Sequence, residues 1–459
     1  MYKLNRDVLY LILKEFKNDK KTLYSCLLVN KPWCEIIIPI LWKDPWKFLK
    51  RGKEKSLFNV IISYLSDKSI RKPLFDYVNY CRHLNLNEIN EMIKMIHEES
   101  EIKKEIINIF INENSKFTHL YIPHQYDYQL HLIPGVKRCL SDLQFLSCHT
   151  SINNNLLNGL LELCKSIKEL ELFIEKCNNN YGIINLIEIP KNLINIRFLT
   201  KQYESIDKPF YKILENSLNK RANNIQYFTI IKQPITNILS TFINLKRLEL
   251  ELGDYFNTTW DCLENLFLPF LQVLIARCIP IKILTSLIKN TNGHLIEINI
   301  DRIYHDEMNN KLIIQTIHQN CPYLKYLLLL FRNINIVELD NLLINCQYLE
   351  GLYILTNDNI YADNIFDWDY LFDILSKSSP SNLFKFKLDY DEGPTLEQLK
   401  LFFDKWRGRN PMLLQTNQYL ACWNKLLDFM DYYKAEGIVK KYDLCESNFD
   451  DFEWIQENY

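Results

Sequence analysis

The sequence predicts an α/β protein in which a small N-terminal helical unit precedes a long array of repeated strand–helix units and a helical C-terminal cap. Three observations support this prediction. The first fifty residues contain three stretches with apolar residues at helical spacing, one apolar pattern recurs twelve times between residues 81 and 388, and an amphipathic stretch follows at 395–409. The expected divisions are 1–47 for the helical unit, 48–76 for a linker with a connecting helix, 77–392 for the array of about twelve units, and 393–459 for the cap and an acidic tail.

The composition is that of a globular protein, and it excludes several functional classes. Of 459 residues, 47% are hydrophobic, and 54 lysines and arginines are matched by 56 aspartates and glutamates. A chain without a basic excess lacks the electrostatic footprint of a dedicated nucleic-acid binder. The 10 glycines are too far apart to form a phosphate-cradling loop, so the sequence carries no dinucleotide-binding or P-loop motif.

The cysteines and the apolar runs indicate where the protein is expected to reside. The 13 cysteines include no C-x-x-C pair, which is typical of a reducing compartment where cysteine serves as a small buried hydrophobe. The N-terminal apolar run is too short for a signal peptide. The richest later run, residues 326–331, is far shorter than the ~20 residues of a membrane span. We therefore expect a cytoplasmic or nuclear protein without a membrane partner.

The N-terminal unit is expected to contain three short helices. Residues 4–16 carry an apolar stripe after a potential N-cap, Asn5, and a second helix is expected from about 22 to 29. A third helix within 30–42 should kink or end at Pro39. A unit of roughly 40 residues cannot bury this much Trp, Ile and Leu by itself. The excess apolar surface therefore needs a partner, either the rest of the chain or another protein.

The middle of the chain repeats the pattern apolar-x-x-apolar-x-apolar. The alternating end of each copy predicts a short, half-buried strand, and the segment before it often has helical spacing. The mean step between copies is near 27 residues, with individual steps from 20 to 36. The copies are Cys81-Leu84-Leu86, Phe117-Leu120-Ile122, Leu140-Leu143-Phe145, Ile167-Leu170-Leu172, Leu193-Ile196-Phe198, Ile225-Phe228-Ile230, Leu245-Leu248-Leu250, Leu271-Leu274-Ala276, Leu295-Ile298-Ile300, Leu324-Leu327-Leu329, Leu349-Leu352-Ile354 and Leu383-Phe386-Leu388.

A strand and a helix in each repeat of this length are typical of leucine-rich repeats. The predicted solenoid has parallel strands on its concave side and helices outside, and each unit buries its apolar face only by stacking on its neighbours. Cys164, Cys321 and Cys346 recur three residues before the strand leucine, so we expect them to be buried at helix-to-strand corners rather than to serve redox or metal chemistry.

The first 45 residues resemble the F-box motif, which docks substrate receptors of SCF ubiquitin ligases on a Skp-type linker subunit. The resemblance rests on L-L-V-N-x-x-W at 27–33 and P-x-L-W at 39–42. The family usually has Leu-Pro where this chain has Leu4-Asn5, and that proline rigidifies a linker-contacting turn. Together with the repeats, the motif resembles the F-box/LRR receptors, which implies a cullin-RING ligase as the wider assembly and a chain that is monomeric outside it. The resemblance implies linker contacts at Leu4, Val8, Leu9, Ile12, Leu27, Val29 and Trp33.

Side chains that flank the inward leucines should project from the concave face. Carboxylates recur there in the earlier copies, and apolar and aromatic residues in the later ones, which favours a protein target with an apolar anchor and nearby basic residues. The alternative is that the C-terminal segment covers this surface. The candidate target-binding residues are Glu249, Glu251, Glu297, Asp301, Tyr326, Leu328, Leu330, Tyr353 and Leu355.

The sequence predicts no catalytic residue, metal site or cofactor. His119, His124 and His131 suggest metal binding, but no cysteine or acidic residue joins them at ligand spacing, so we expect surface or edge histidines. The carboxylates near Gly393-Pro394 are expected to be solvated in a turn. Two hypotheses follow: a non-catalytic substrate receptor that delivers a target to the ligase, or a leucine-rich-repeat scaffold or ligand-binding protein whose N-terminal helices only cap the solenoid.

Overall fold

The structure is a computed structural model of the chain. It describes residues 5–17, 19–47, 49, 52, 54–65, 73–94, 100–201, 207–251, 260–303, 306–356, 366–390, 392–416 and 423–444. The chain forms two compact units, residues 1–221 and 222–459, which are described separately below. Both are built from parallel strands that follow helical or irregular segments.

The strands of each unit are short and follow one another in chain order. In the first unit these are β1 His83–Asn85, β2 His119–Tyr121, β3 Phe145–His149, β4 Glu169–Phe173 and β5 Asn195–Leu199. In the second they are β6 Tyr227–Ile230, β7 Arg247–Glu251, β8 Val273–Arg277, β9 Glu297–Asp301, β10 Tyr326–Leu330, β11 Gly351–Leu355, β12 Lys385–Asp389, β13 Met412–Thr416 and β14 Val439–Asp443. Within each unit every strand pairs in parallel with the next strand in the sequence.

Helices and short 3₁₀ turns connect the strands. The helices of the first unit are α1 Arg6–Glu15, α2 Lys20–Leu27, α3 Lys31–Trp42, α4 Glu54–Ile62, α5 Tyr77–Tyr80, α6 Leu86–Lys94, α7 Ser100–Phe110, α8 Val136–Cys139, α9 Asn154–Leu163, α10 Ile184–Glu188 and α11 Lys208–Leu218. Those of the second unit are α12 Ile281–Lys289, α13 Glu307–Asn320, α14 Ile336–Asn345, α15 Trp368–Ser378, α16 Leu396–Lys405 and α17 Trp423–Ala435. No helix in the described ranges is both long and apolar enough to cross a bilayer.

The repeat pattern predicts the strands correctly, with one error of register. Each of the twelve copies coincides with a strand, and the middle apolar residues align from strand to strand: Leu84 pairs with Leu120, and Leu352 with Phe386. In the third copy, however, the residue paired with Leu120 is Leu146, not Leu143. Two overlapping copies of the pattern fit that segment, and the hydrogen-bonded ladder with the neighbouring strands selects the later one.

The array continues beyond the predicted boundary at 392. We expected 393–459 to form a helical cap, but α16 and α17 are each followed by a parallel strand, β13 and β14. The β13 strand was missed because Pro411 and Thr416 occupy its apolar pattern positions. The β14 strand keeps a readable pattern, Val439-x-x-Tyr442-x-Leu444, in which tyrosine replaces leucine. The predicted acidic tail begins within β14, and residues 445–459 lie outside the described residues.

The first three helices share a core of their own. Leu9 and Leu13 of α1 pack with Leu23 of α2 and with Ile36 and Ile37 of α3. The predicted cap at Asn5 is confirmed, since its side chain accepts a hydrogen bond from the Asp7 amide at 3.2 Å. An end of α3 at Pro39 is ruled out, because the helix runs past that proline to Trp42, and the kink there stays a prediction.

The C-terminal end of α3 attaches this helical unit to the first repeats. The Trp46 side chain is 8% exposed, and its indole N–H donates to the His83 carbonyl of β1 at 2.7 Å. The Trp42 ring lies 4.7 Å from that of Tyr77 between ring centroids. The amide of Arg82 donates to the Lys43 carbonyl at 2.8 Å. The helical unit is therefore anchored to the array at one end.

The recurring cysteines are structural, as predicted. Cys164, Cys321 and Cys346 directly follow α9, α13 and α14, and all three are buried. Their amides donate to backbone carbonyls in the last turn of the preceding helix. These bonds supply partners for carbonyls that have no donor within the helix. All eleven described cysteines are free thiols.

Candidate functional site

The predicted linker-binding residues divide into exposed and buried groups. Val8, Ile12 and Val29 are 46%, 45% and 54% exposed, and Leu11 and Leu28 beside them are 61% and 88% exposed. On α1, positions 8, 11 and 12 have the i, i+3, i+4 spacing that places side chains on one helix face. We call these five side chains the N-terminal apolar surface. Such an uncovered face is unusual for a helix that has a core to pack on.

The other candidates serve the helical unit's own packing. Leu9 was proposed as a linker contact, but it is 6% exposed and lies in the core of the three helices. Leu27 and Trp33 are half-buried and pack against the same core. The amide of Trp33 donates to the Asn30 side chain at 3.1 Å, which caps α3. Leu4 lies outside the described residues. Helical spacing alone does not show which apolar residues of α1 face the core and which face solvent.

The candidate target surface lies on the face of the second unit's sheet opposite the buried leucines. We call this the ladder face, defined by the residues that flank the core positions in β7 to β12. The predicted carboxylates there are held by an arginine. The guanidinium of Arg277 lies 2.9 Å from a Glu249 oxygen, 3.5 Å from Glu251 and 3.6 Å from Asp301. The carboxylates therefore neutralise a cation of the same chain, a pairing that the repeat pattern does not predict.

The remaining acidic candidate is also engaged within the sheet. Glu297 is 4% exposed, and one of its oxygens accepts a hydrogen bond from the Asn299 side chain at 2.7 Å. Burial raises the pKa of Asp301, while Arg277 beside it acts in the opposite direction. The acidic half of the ladder face is a preorganised ion network rather than a set of unpaired charges.

The predicted apolar patch combines tyrosines with lysines. The Tyr326 hydroxyl donates to Glu350 at 2.8 Å, and the Lys385 ammonium lies 5.2 Å from the Tyr326 ring centroid. In the same way the Lys387 ammonium lies 5.5 Å from the Tyr353 ring centroid. Both lysines are buried, a placement that cation–π contacts help to offset.

The leucines of the patch differ in accessibility. Leu330 was proposed as a target contact, but it is 6% exposed and packs in the core. Leu328 and Leu355 are half-buried and remain accessible. The surface that a target could touch at β10 and β11 is thus smaller and more polar than the sequence suggested.

The structure separates the three histidines that were considered as metal ligands. His119 stacks on His83 with ring centroids 3.8 Å apart. His131 lies against Gly159 of α9, where an added Cβ would clash with its ring. His124 lies near His149 and Glu175, two residues that the sequence analysis did not connect with it. The connection comes from the register, because all three follow or end adjacent strands.

The stacked pair of histidines is uncharged at neutral pH. Burial lowers the pKa of both His83 and His119 to about 4. The Nδ1 atom of His83 lies 3.3 Å from an Asp44 oxygen, so this contact is between a neutral ring and a carboxylate rather than an ion pair at pH 7. The pair therefore stacks β1 on β2, and His83 contacts the residues after α3 through Asp44.

This stack should make the first unit sensitive to acid. Because the unfolded chain binds protons near pH 6.5 and the folded one only near pH 4, stability should fall as the pH drops through that interval. His119→Phe keeps a stacked ring between His83 and Phe145 but removes one titrating group. We expect a shallower loss of stability for this variant in urea unfolding between pH 7 and pH 4. Identical slopes for the two proteins would contradict the assignment.

Comparison with known proteins gives limited similarity. No protein-family model matches the chain, and no curated protein matches it. Among solved structures, an internalin (inlF) from Listeria monocytogenes is 13% identical with a TM-score of 0.31, covering 62% of this chain and 83% of that one. The leucine-rich repeat-containing protein LegL7 from Legionella pneumophila is 16% identical with a TM-score of 0.33, covering 70% of this chain and 91% of that one. The leucine-rich-repeat architecture of this chain is established by its own repeats, strand order and register.

Proposed function

We propose that this protein is the non-catalytic substrate-recognition subunit of an SCF-type ubiquitin ligase. In this proposal the N-terminal helices bind a Skp-type linker subunit, the ladder face binds a protein target, and other subunits supply the ubiquitin chemistry. The mechanism is proximity, because tethering raises the effective concentration of the target near the conjugating enzyme.

The observation that carries the proposal is the N-terminal apolar surface. A small helical unit with its own core still leaves five aliphatic side chains uncovered, three on α1 and two directly after α2, with Leu28 88% and Leu11 61% exposed. Exposed aliphatic clusters on soluble proteins are typical of interaction sites. The expected partner class comes from the F-box resemblance, which implies linker contacts at the exposed residues Val8, Ile12 and Val29.

The ladder face supports the second half of the proposal. It offers half-buried aromatic residues, Tyr326 and Tyr353, together with the accessible Leu328 and Leu355, beside fixed charges. Tyrosine anchors surrounded by charge are enriched in binding hot spots. Because Arg277 already neutralises the neighbouring carboxylates in part, a target needs an apolar anchor more than it needs basic residues.

Ile12→Lys combined with Val29→Lys should strongly weaken binding of a Skp-type linker. Both side chains are exposed, so lysine leaves the core of the helical unit intact but places charge in the interface. We expect binding to weaken by about 2 kcal/mol or more, a factor of roughly 30, in calorimetric titration of the linker into the full chain. Trp33→Ala is a poorer test because Trp33 packs on the helical core. A loss of binding by that variant would not distinguish a missing interface contact from unfolding of the helical unit.

The matched control is Ile344→Lys. Ile344 is 54% exposed, as Val29 is, and it lies in the last turn of α14, where a lysine suits the helix dipole. We expect this variant to bind the linker as tightly as the unaltered protein does. Equal binding by the double variant, or no binding by the unaltered protein, would refute the proposed docking.

A second candidate function is favoured by the attachment of α3. Because Trp46 is buried and bonded to β1, the N-terminal unit is attached to the first repeats, as the alternative of a structural cap requires. In a scaffold of this kind the protein would fold normally but would not bind the linker. The titration above distinguishes the two functions, since only the receptor predicts measurable linker binding.

A further inference from the structure

Three potential metal ligands meet at the ends of adjacent strands in the first unit. His149 ends β3, Glu175 lies two residues after β4, and His124 lies three residues after β2. A Glu175 oxygen is 2.7 Å from Nδ1 of His149 and 3.5 Å from Nε2 of His124. The three ligand atoms all lie within 4.8 Å of one another. Parallel strands bring their carboxyl ends to one edge, which explains why residues up to 51 positions apart converge there.

The backbone of Glu175 is held by a buried polar network. The backbone amide of Glu175 donates to the Thr150 hydroxyl at 3.0 Å and to the Asn179 side-chain oxygen at 3.3 Å. The Asn179 amide donates back to the Glu175 carbonyl at 2.9 Å, and the Thr150 hydroxyl bonds the Asn179 oxygen. Thr150 is completely buried and Asn179 is 9% exposed. Fixing the backbone in this way aims the Glu175 side chain between the two imidazoles.

The observed separations are close to those of a coordinated ion. Tetrahedral bonds of about 2.0–2.1 Å place neighbouring ligand atoms roughly 3.3 Å apart. The two measured separations from Glu175 bracket that value. The two imidazole nitrogens, which lie within 4.8 Å of each other, have to approach that same separation to bond one ion. His124 supplies the freedom for this approach, since its side chain is 42% exposed, whereas the His149 side chain is 19% exposed and stacks on Phe173.

A cavity adjoins the cluster and leaves room for a fourth ligand. His149 lines a cavity of about 120 Å³ together with Tyr126, Asp127 and Ser151. The hydroxyls of Tyr126 and Ser151 are buried and have no hydrogen-bond partner within the described residues. Buried hydroxyls of this kind usually bond to water or a ligand. Three protein ligands with an open position toward such a cavity form the arrangement of an exchangeable site rather than a closed one.

We propose that His124, His149 and Glu175 bind one divalent first-row transition ion, with zinc as the best-matched ion, and that the fourth position opens toward the cavity. Two imidazoles and one carboxylate suit Zn²⁺ and exclude Mg²⁺ and Ca²⁺, which prefer oxygen ligands. The bound ion would join the ends of β2, β3 and β4. This inference is independent of linker docking, because none of the three residues belongs to the N-terminal helices.

The test is titration of Zn²⁺ alone into the full chain after removal of any affinity tag. We expect saturable binding of one ion per chain, and we expect Co²⁺ to give the visible absorption of a tetrahedral site without thiolate charge transfer. His124→Gln and Glu175→Gln should each weaken Zn²⁺ binding by about 100-fold or more, at least the loss that outer-shell changes cause. Circular dichroism of both variants should match that of the unaltered protein, because neither side chain lies in the core.

Two control variants make the experiment decisive. His294→Gln removes another exposed histidine, which lies in the second unit, and should leave Zn²⁺ binding unchanged. Cys177→Ser removes an exposed thiol two residues from Glu175 and should also leave binding unchanged. Binding that survives in both ligand variants, or that disappears only with the thiol, would overturn the proposed site, as would the absence of binding to the unaltered protein.

Discussion

Replacing Trp46 by alanine is expected to lower the free energy of unfolding by about 3–5 kcal/mol, the range for removal of a buried tryptophan side chain. The ring is 8% exposed and lies 6.2 Å from that of Phe110 between centroids, so its loss leaves a cavity between α3 and the first repeats. The substitution also removes the indole N–H that donates to the His83 carbonyl, which leaves that carbonyl with the weaker Cys81 thiol donor at 3.1 Å. Urea unfolding followed by circular dichroism measures the change.

Trp46→Phe is the matched control for this prediction. It keeps most of the apolar volume and removes only the hydrogen bond and part of the ring, so we expect a loss of about 1–2 kcal/mol. Hydrogen exchange locates the effect, because the amides of β1 and β2 should exchange faster in Trp46→Ala than in the control. If exchange there were unchanged, the anchoring role of Trp46 would be wrong.

Arg277→Met is expected to destabilise the protein by about 2–4 kcal/mol at pH 7. The change leaves three partly buried carboxylates, Glu249, Glu251 and Asp301, without the cation that they share. Removing one partner of a fully buried pair costs about 3–5 kcal/mol. The Arg277 side chain is 28% exposed, and solvent screening lowers that cost somewhat.

The pH dependence of this variant provides a second measurement. Burial raises the pKa of Asp301 above its ordinary value of 3.8, and Arg277 opposes that rise. Without Arg277 the folded state should retain a proton on Asp301 to higher pH than the unfolded state does. Stability should then fall as the pH rises through that interval. The deficit of Arg277→Met should therefore shrink as the pH is lowered from 7 toward 4.

Arg302→Met is the control for Arg277→Met. The Arg302 side chain is 55% exposed, and one of its nitrogens lies 3.3 Å from a Glu251 oxygen. Exposed pairs of this kind contribute about 0–1 kcal/mol, so we expect a small effect with little pH dependence. Equal losses for the two arginine variants would contradict a central role for Arg277.

The repeat array was readable from the sequence because its signal is local. Each strand needs apolar residues at alternating positions to bury one side of the sheet, so the pattern has to appear in every repeat. The prediction was wrong where two overlapping copies competed, at Leu143 and Leu146, and where Pro411 and Thr416 interrupted the apolar positions of β13. At both places the local pattern does not identify the strand. The contacts with neighbouring strands determine which residues form it.

The candidate site residues were less predictable because exposure depends on packing between elements. Leu9 and Ile12 are both apolar residues of α1, yet one lies in the core and the other is 45% exposed. Leu330 and Leu355 end neighbouring strands, and only the first is buried. Which apolar stripe faces inward depends on where the next helix or strand docks, and that docking is a property of the whole unit.

The sequence by itself determined the strand–helix repeats, the helical N-terminus and the buried cysteine corners, because hydrophobic periodicity acts over a few residues. Only the tertiary structure decided which charges meet. Arg277 of β8 neutralises carboxylates on its two neighbouring strands, β7 and β9, and His124 lies near His149 and Glu175, although these residues are far apart in the chain. Strand register determines which side chains become neighbours across the sheet. Register results from cooperative pairing along the sheet rather than from the residue spacing within one segment.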